Sequence, residues 1–221
     1  MDKVFENVFR SVNIAMVNEL AKLCEKMNVN VWEVIKAAST KPFGYMAFYP
    51  GPGVGGHCIP LDPYYLAAKA KEYNFHTRFI ELAAEINETM PEHIVARITE
   101  TLNTKSKSTK GAKVLMLGVT YKKDIEDLRE SPALRIMELL IGKGAVVSYH
   151  DPYVTEVKIN SKVLKSIKLG KKELNSYDCV VITADHSYYD LNFIVNNSKL
   201  IFDTRGCTVN IKANNIIRLG E

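Results

Sequence analysis

The residues with the clearest chemical potential surround Cys58, which closes the run Gly51-Pro-Gly-Val-Gly-Gly-His57-Cys58 and is followed by Ile-Pro-Leu-Asp62-Pro63. Glycines let backbone N–H groups approach a substrate closely, and an Asp-Pro pair reads as a helix start just beyond, so the run suits a presented, reactive thiol. A free thiol with a pKa of about 8.5 is little ionised at neutral pH, so backbone donors and a nearby cation must raise the thiolate fraction. The rival reading is a buried, inert cysteine. His57 adjoins Cys58, but adjacent side chains generally point apart, which argues for a packing or ligand-contacting histidine rather than a Cys-His dyad.

Gly51-x-Gly53-x-x-Gly56 also matches the dinucleotide-binding fingerprint letter for letter, yet its surroundings reject that role. The upstream residues Pro42-Phe-Gly-Tyr-Met-Ala-Phe-Tyr-Pro50 do not form a strand, and Pro52 and Pro60 oppose the helix that should open there. A second candidate, the apolar run ending at Gly118, continues as Val-Thr-Tyr-Lys-Lys where further glycines are required. By sequence the chain contains no convincing NAD-binding domain.

The elements that must carry these residues fall into two kinds. Val4, Val8, Val12, Met16 and Leu20 recur every fourth position, joined by Phe5, Phe9, Leu23 and Met27, and predict one long amphipathic helix. Asn30 with Glu33 three residues later predicts the cap of a second, and residues 39–60 break all periodicity, giving a loop of a length that compact domains usually reserve for function. Helix is expected again from an Asp62 N-cap and from Arg78, with Pro91 kinking that element rather than ending it. Residues 103–111 are polar, lysine-rich and aperiodic, and read as a linker between a helical domain over 1–102 and a second domain over 112–221. In the second, strands at 113–118, 145–149, 178–183 and 200–203 alternate with a helix over 132–143, predicting a parallel, doubly wound, Rossmann-like sheet. The fold class is therefore α/β, an all-helical part followed by a Rossmann-like part.

Composition excludes several classes. With 47% hydrophobic and 24% charged residues, neither disorder nor a membrane class is indicated, and no stretch of about 18 apolar residues occurs. The net charge of +4 is spread along the chain, so nucleic acid is a poor partner, whereas a small anionic ligand or a merely solvated surface both fit. The four cysteines, at 24, 58, 179 and 207, lack metal-ligand spacing. Their placement predicts reduced thiols and a cytoplasmic protein without bound metal.

Beyond these readings, PGPGVGGHCIPLDPYYL, preceded by KPFGYMAFY and followed by TRFIELAAEIN, GVTYKKDIEDLRESPA, YHDPYV and IFDTR, resembles the UDP-glucose/GDP-mannose 6-dehydrogenase family. The resemblance runs in family order over nearly the whole chain, and the GPGxGGHCIPxDP form is most similar to members that oxidise UDP-N-acetylhexosamines, UDP-N-acetylglucosamine 6-dehydrogenase closest. Such enzymes have an NAD-binding domain, a central helical domain and a UDP-binding domain, and this sequence starts at the central helix. The resemblance thus implies NAD-dependent oxidation of a UDP-sugar C6 alcohol to a carboxylate, with the isolated chain expected to be inactive. It also implies a homodimer through the central helices, although a non-catalytic sugar-nucleotide-binding or oligomerisation module remains the alternative.

Residue by residue, the resemblance makes Cys58 the nucleophile that forms a thiohemiacetal and then a thioester. Lys3 and Asn7, four apart on one helical face, match the family's oxyanion donors, while Asp62 matches a water-orienting aspartate; a solvated lysine and a helix cap are the plain alternatives. Phe48, Tyr49, Gly53 and Gly55 fall in the loop that wraps the sugar nucleotide, where an aromatic side chain serves packing by default. Lys122 and Arg205 match nucleotide-binding residues at strand carboxyl ends, suited to phosphate as a point charge and as a fork. Lys122 is also the one cofactor contact expected on this chain, and Arg129 in DLRES is a further, weaker candidate.

Overall fold

A computed structural model describes residues 1–221. Helix α1 spans Asp2–Met27 and ends where Asn28 turns left-handed (φ 53°), letting the Val29 amide bond to the Cys24 carbonyl at 3.0 Å. Asn30 then caps α2 (Val31–Ala38), its side-chain oxygen accepting from the amides of Trp32 and Glu33 at 2.8 and 3.2 Å, as its sequence position predicts. The loop that follows ends earlier than expected. Helix α3 covers Cys58–Lys71, so Asp62 lies inside it and is not its N-cap. Pro60 falls in the first turn, where a missing N–H costs nothing, and this lets the helix begin at the cysteine.

The element expected to bend at Pro91 instead divides at Thr89 into α4 (Arg78–Glu88) and α5 (Met90–Thr104). Pro91 takes the first turn of α5, the position in which proline is tolerated. The two helices then face different neighbours. Helix α4 packs on α1, while Met90, Ile94, Val95, Ile98 and Leu102 of α5 enter the core beneath the sheet.

Five parallel strands form that sheet in the order β2-β1-β5-β6-β7: β1 (Lys113–Leu117), β2 (Val146–His150), β5 (Cys179–Ile182), β6 (Ile201–Asp203) and β7 (Ile216–Arg218). Val114, Met116 and Val181 point to the side covered by α5 and α6 (Pro132–Gly142), whereas Leu115, Leu117, Val180 and Ile182 point to the side of α7 (Lys171–Ser176) and α8 (Leu191–Asn197). Both faces are thus covered, as continuous apolar strands demand. A small antiparallel hairpin, β3 (Glu156–Ile159) and β4 (Lys162–Lys165), is added after β2. The order reverses between β1 and β5, so the loops after these two strands frame the crevice in which open α/β sheets bind ligands.

Candidate functional site

Cys58 is the first residue of α3 and is exposed. Unpaired amides of a helix's first turn and its macrodipole favour an anion at such a position. Around it opens a cleft of about 410 Å³ lined by Lys3, Asn7 and Arg10 of α1, the Gly55–Ile59 segment, Tyr121 and Arg129. The helical part and the loop after β1 therefore build the cleft jointly.

Asn7 is almost fully buried and donates from Nδ2 to Asp62 Oδ2 at 2.6 Å. Asp62 stands one turn beyond Cys58 on α3, so the two share a face, and the bond to Asn7 fixes that face against α1. Lys3 lies one turn before Asn7 on the cleft wall. The structure thus brings Cys58, Lys3 and Asn7 to one cleft and ties Asp62 to Asn7.

Gly55 is required sterically. A Cβ there would lie 2.4 Å from Tyr121 Cβ and 2.8 Å from the Glu130 carbonyl oxygen, and the Gly56 amide donates to the Arg129 carbonyl at 2.9 Å. The glycine run is a docking strip for the loop after β1 rather than a strand-to-helix phosphate turn. Arg129 adds a cation to the cleft: Asp127, hydrogen-bonded to its guanidinium, raises its pKa above the ordinary arginine value, and the nearby Tyr121 and Cys58 act in the same direction.

Other sequence-predicted residues lie apart from this cleft. Phe48 packs edge-on against Phe9 (centroids 5.8 Å) and borders an apolar groove with Met16, Leu20 and Met46, while Tyr49 stacks on Trp32 at 6.2 Å. Gly53 borders a separate depression with Asn87, Ser131 and Pro132. Lys122 is exposed on the loop after β1. Arg205 follows β6 and is braced from below, its Nε donating to the Thr183 carbonyl at 2.8 Å and Nη2 to the Tyr121 carbonyl at 3.3 Å; burial pushes its pKa down. It also backs Gly51, where a Cβ would meet its Nη1 at 3.0 Å.

Sequence reasoning missed Tyr121, Arg10 and a buried polar cluster at the strand ends. In the cluster, Asp151 accepts from the Val119 and Tyr153 amides and faces His186 Nε2 at 3.1 Å. Burial pushes the Asp151 carboxyl up, but His186 and the two amides outweigh it and hold its pKa below the usual value. The available signal was polar residues placed just past apolar strands, in YHDPYV and TADHS.

A helical part presenting a cysteine at a helix N-terminus is thus fused to an open parallel α/β sheet whose first crossover loop completes the cleft. The chain belongs to the UDP-glucose/GDP-mannose dehydrogenase family: residues 1–89 match the family's central domain and residues 115–210 its UDP binding domain. Among its relatives, a UDP-N-acetyl-D-mannosamine dehydrogenase of Methanococcus maripaludis is 35% identical over 93% of this chain and 47% of its own length. An NDP-N-acetyl-D-galactosaminuronic acid dehydrogenase of Ralstonia nicotianae is 35% identical with the same coverages. A solved UDP-D-ManNAc dehydrogenase from Pyrococcus horikoshii superposes with TM-score 0.82 at 33% identity, over 98% of this chain and 50% of that one. The chain spans about half the length of the relatives it matches. No helix is long and apolar enough to cross a membrane.

Proposed function

We propose that this chain is the catalytic-cysteine and UDP-binding portion of an NAD-dependent UDP-N-acetylhexosamine 6-dehydrogenase. The observation that carries the reading is the Cys58 cleft: an exposed thiol on a helix N-terminus, faced by Lys3 and Asn7, with Asp62 hydrogen-bonded to Asn7. The N-acetylhexosamine class rests on the relatives' names, most of which are UDP-N-acetyl-D-mannosamine dehydrogenases, with NDP-N-acetyl-D-galactosaminuronic acid dehydrogenases beside them.

The relevant carbon is C6 at the aldehyde level. The Cys58 thiolate forms a C–S bond to it while the carbonyl π electrons move to oxygen, where the Lys3 ammonium and the Asn7 amide are the donors for the new oxyanion. At the later thioester, water adds to the same carbon, the C–S bond breaks, the thiolate returns and a carboxylate leaves, the two protons of the water passing to solvent; Asp62 is the group that orients this water. NAD+ is the family's acceptor for the two hydrides. The residues present do not fit a dinucleotide, since the Gly51–Gly56 run follows no strand and packs on Tyr121, so no hydride step is assigned to this chain.

Nucleotide recognition falls to the rim of the sheet's switch point, with Lys122 and Arg205 as phosphate partners and Phe48, Tyr49, Gly53 and Gly55 on the wrapping loop. Homodimerisation is assigned to the exposed apolar stripe of α1, comprising Phe5, Phe9, Met16, Leu23 and Met27, and to the groove between α1 and α2. The same stripe favours the second reading, a purely oligomerising or ligand-binding module. To separate them, the chain is joined to the NAD-binding domain of a relative and offered a UDP-sugar panel. Acid formation lost in Cys58→Ser supports the enzyme reading, and turnover that survives this substitution overturns it. The isolated chain is expected to form no NADH but to bind UDP more tightly than UMP in calorimetry.

A further inference from the structure

His186 follows β5 at the switch point, and its side chain is wholly buried. Its Nδ1 accepts the backbone N–H of Asp124 at 2.9 Å, so that nitrogen carries no proton. In the neutral ring the proton is therefore on Nε2, which faces Asp151 Oδ2 at 3.1 Å and Thr120 Oγ1 at 3.3 Å. One imidazole thus joins the chain after β1, the chain after β2 and the chain after β5. It lies beneath the loop after β1, at the strand ends where open α/β sheets bind ligands.

That loop, residues 119–130, carries Tyr121, Lys122 and Arg129. Within it the chain turns at Asp124, whose φ of 60° is the left-handed conformation that aspartate tolerates better than most non-glycine residues. The Asp124 carboxylate is clamped by Ser187, through its amide at 2.7 Å and its hydroxyl at 2.6 Å, and by the Tyr153 hydroxyl at 3.3 Å. Its amide has only the histidine. We infer that His186 is a positioning residue for sugar-nucleotide binding: by accepting the Asp124 amide it sets the loop that brings Tyr121 and Arg129 to the Cys58 cleft and carries Lys122 beside it. The inference rests on the proposed function for its ligand and on geometry alone for the loop.

The two ring nitrogens can be replaced separately. An asparagine Oδ1 lies as many bonds from Cβ as Nδ1 and keeps the acceptor for Asp124; a glutamine Nε2 corresponds to the histidine Nε2 and keeps the donor to Asp151. Each variant loses one buried hydrogen bond, so a merely structural role lowers the melting temperature of both similarly. Amide hydrogen exchange on the 221-residue chain is expected to stay within about threefold of the parent at Asp124 in His186→Asn and to rise about tenfold or more in His186→Gln. In parallel calorimetry, UDP affinity is expected to fall about tenfold in His186→Gln but to be largely retained in His186→Asn. Equal exchange in the two variants overturns the loop-setting role. Faster exchange in His186→Gln with unchanged UDP affinity overturns the link to binding. Failure of the parent chain to bind UDP overturns the nucleotide reading itself, whatever the exchange shows, and the positioning role with it.

Discussion

Strands β1 and β5 bury every residue from Val114 to Leu117 and from Cys179 to Ile182, while the longest helix, α1, leaves Phe5, Phe9, Met16, Leu23 and Met27 exposed along one side. The polar groups differ in the same way. Around the sheet, Asp203 is fully buried and accepts from the Arg205 and Thr208 amides and the Thr208 hydroxyl, whereas Lys3 and Cys58 of the cleft face solvent. Stability is thus concentrated where apolar surface is consumed internally. The helical part keeps apolar and reactive surface available for association and chemistry.

Substitutions on the two sides sharpen this contrast. Phe202 has no exposed surface in the sheet core, and Phe202→Ala is expected to cost about 3–5 kcal/mol in urea unfolding. Next comes the seam between the parts, where Glu25 of α1 bonds His93 and the Gly220 amide, both at 2.9 Å, and approaches Arg97 at 3.3 Å. Glu25→Gln should cost about 1.5–3 kcal/mol in the same assay. Burial pushes the Glu25 carboxyl up, but these partners outweigh it and lower its pKa. A depressed folded pKa contributes stability above the unfolded value, about 4.3 for glutamate, and that contribution is lost as pH falls through the folded value. Urea midpoints measured from pH 6 to 3 should therefore drop toward acid, and less steeply in Glu25→Gln.

Gly55→Ala probes the joint between the cleft and the loop after β1. Its Cβ meets Tyr121 and the Glu130 carbonyl, so a loss of about 1–3 kcal/mol is expected, with faster alkylation of Cys58 by iodoacetamide as the loop lifts away. The smallest effect on folding belongs to the exposed stripe. Leu23→Ala should shift unfolding of the dilute chain by under about 0.5 kcal/mol while weakening self-association in sedimentation. A large folding penalty there would erase the distinction between the two regions.

Local signals made the regular elements readable: the Asn30 cap, the α1 periodicity and four apolar strands each depend on residues close in sequence. The hairpin β3–β4, the short helices α7 and α8 and the edge strand β7 went unread because each is brief and takes its partner from outside itself. Asp62 illustrates the limit of local chemistry. Asp before Pro is a sound cap, yet Pro60 already satisfies a first turn, and the aspartate is engaged by Asn7, 55 positions away. The glycine run was legible as a close-approach segment, but that its neighbour is Tyr121 could not be read from spacing. His186 was hidden for a related reason, since its partners Thr120, Asp124 and Asp151 lie on two loops far from it in sequence.

The end of β7 carries a further consequence, for the order in which the chain assembles. Leu219 accepts from the Trp32 indole at 2.9 Å, the Gly220 carbonyl accepts the Val31 amide at 2.9 Å, and Gly220 itself is left-handed (φ 82°) with no room for a Cβ beside Val31. The Trp32–Leu219 bond joins positions 187 apart, and the bond of the Gly220 amide to Glu25 positions 195 apart. Each must offset a long loop closure, so they form late, after local helices and the sheet nucleus have shortened the effective path. On the ribosome α1 and α2 can coil early, but the corner between them at Ala21 and Val31 waits unsealed until residue 220 has been made, and that interval is when a chaperone or a second nascent chain would find it open.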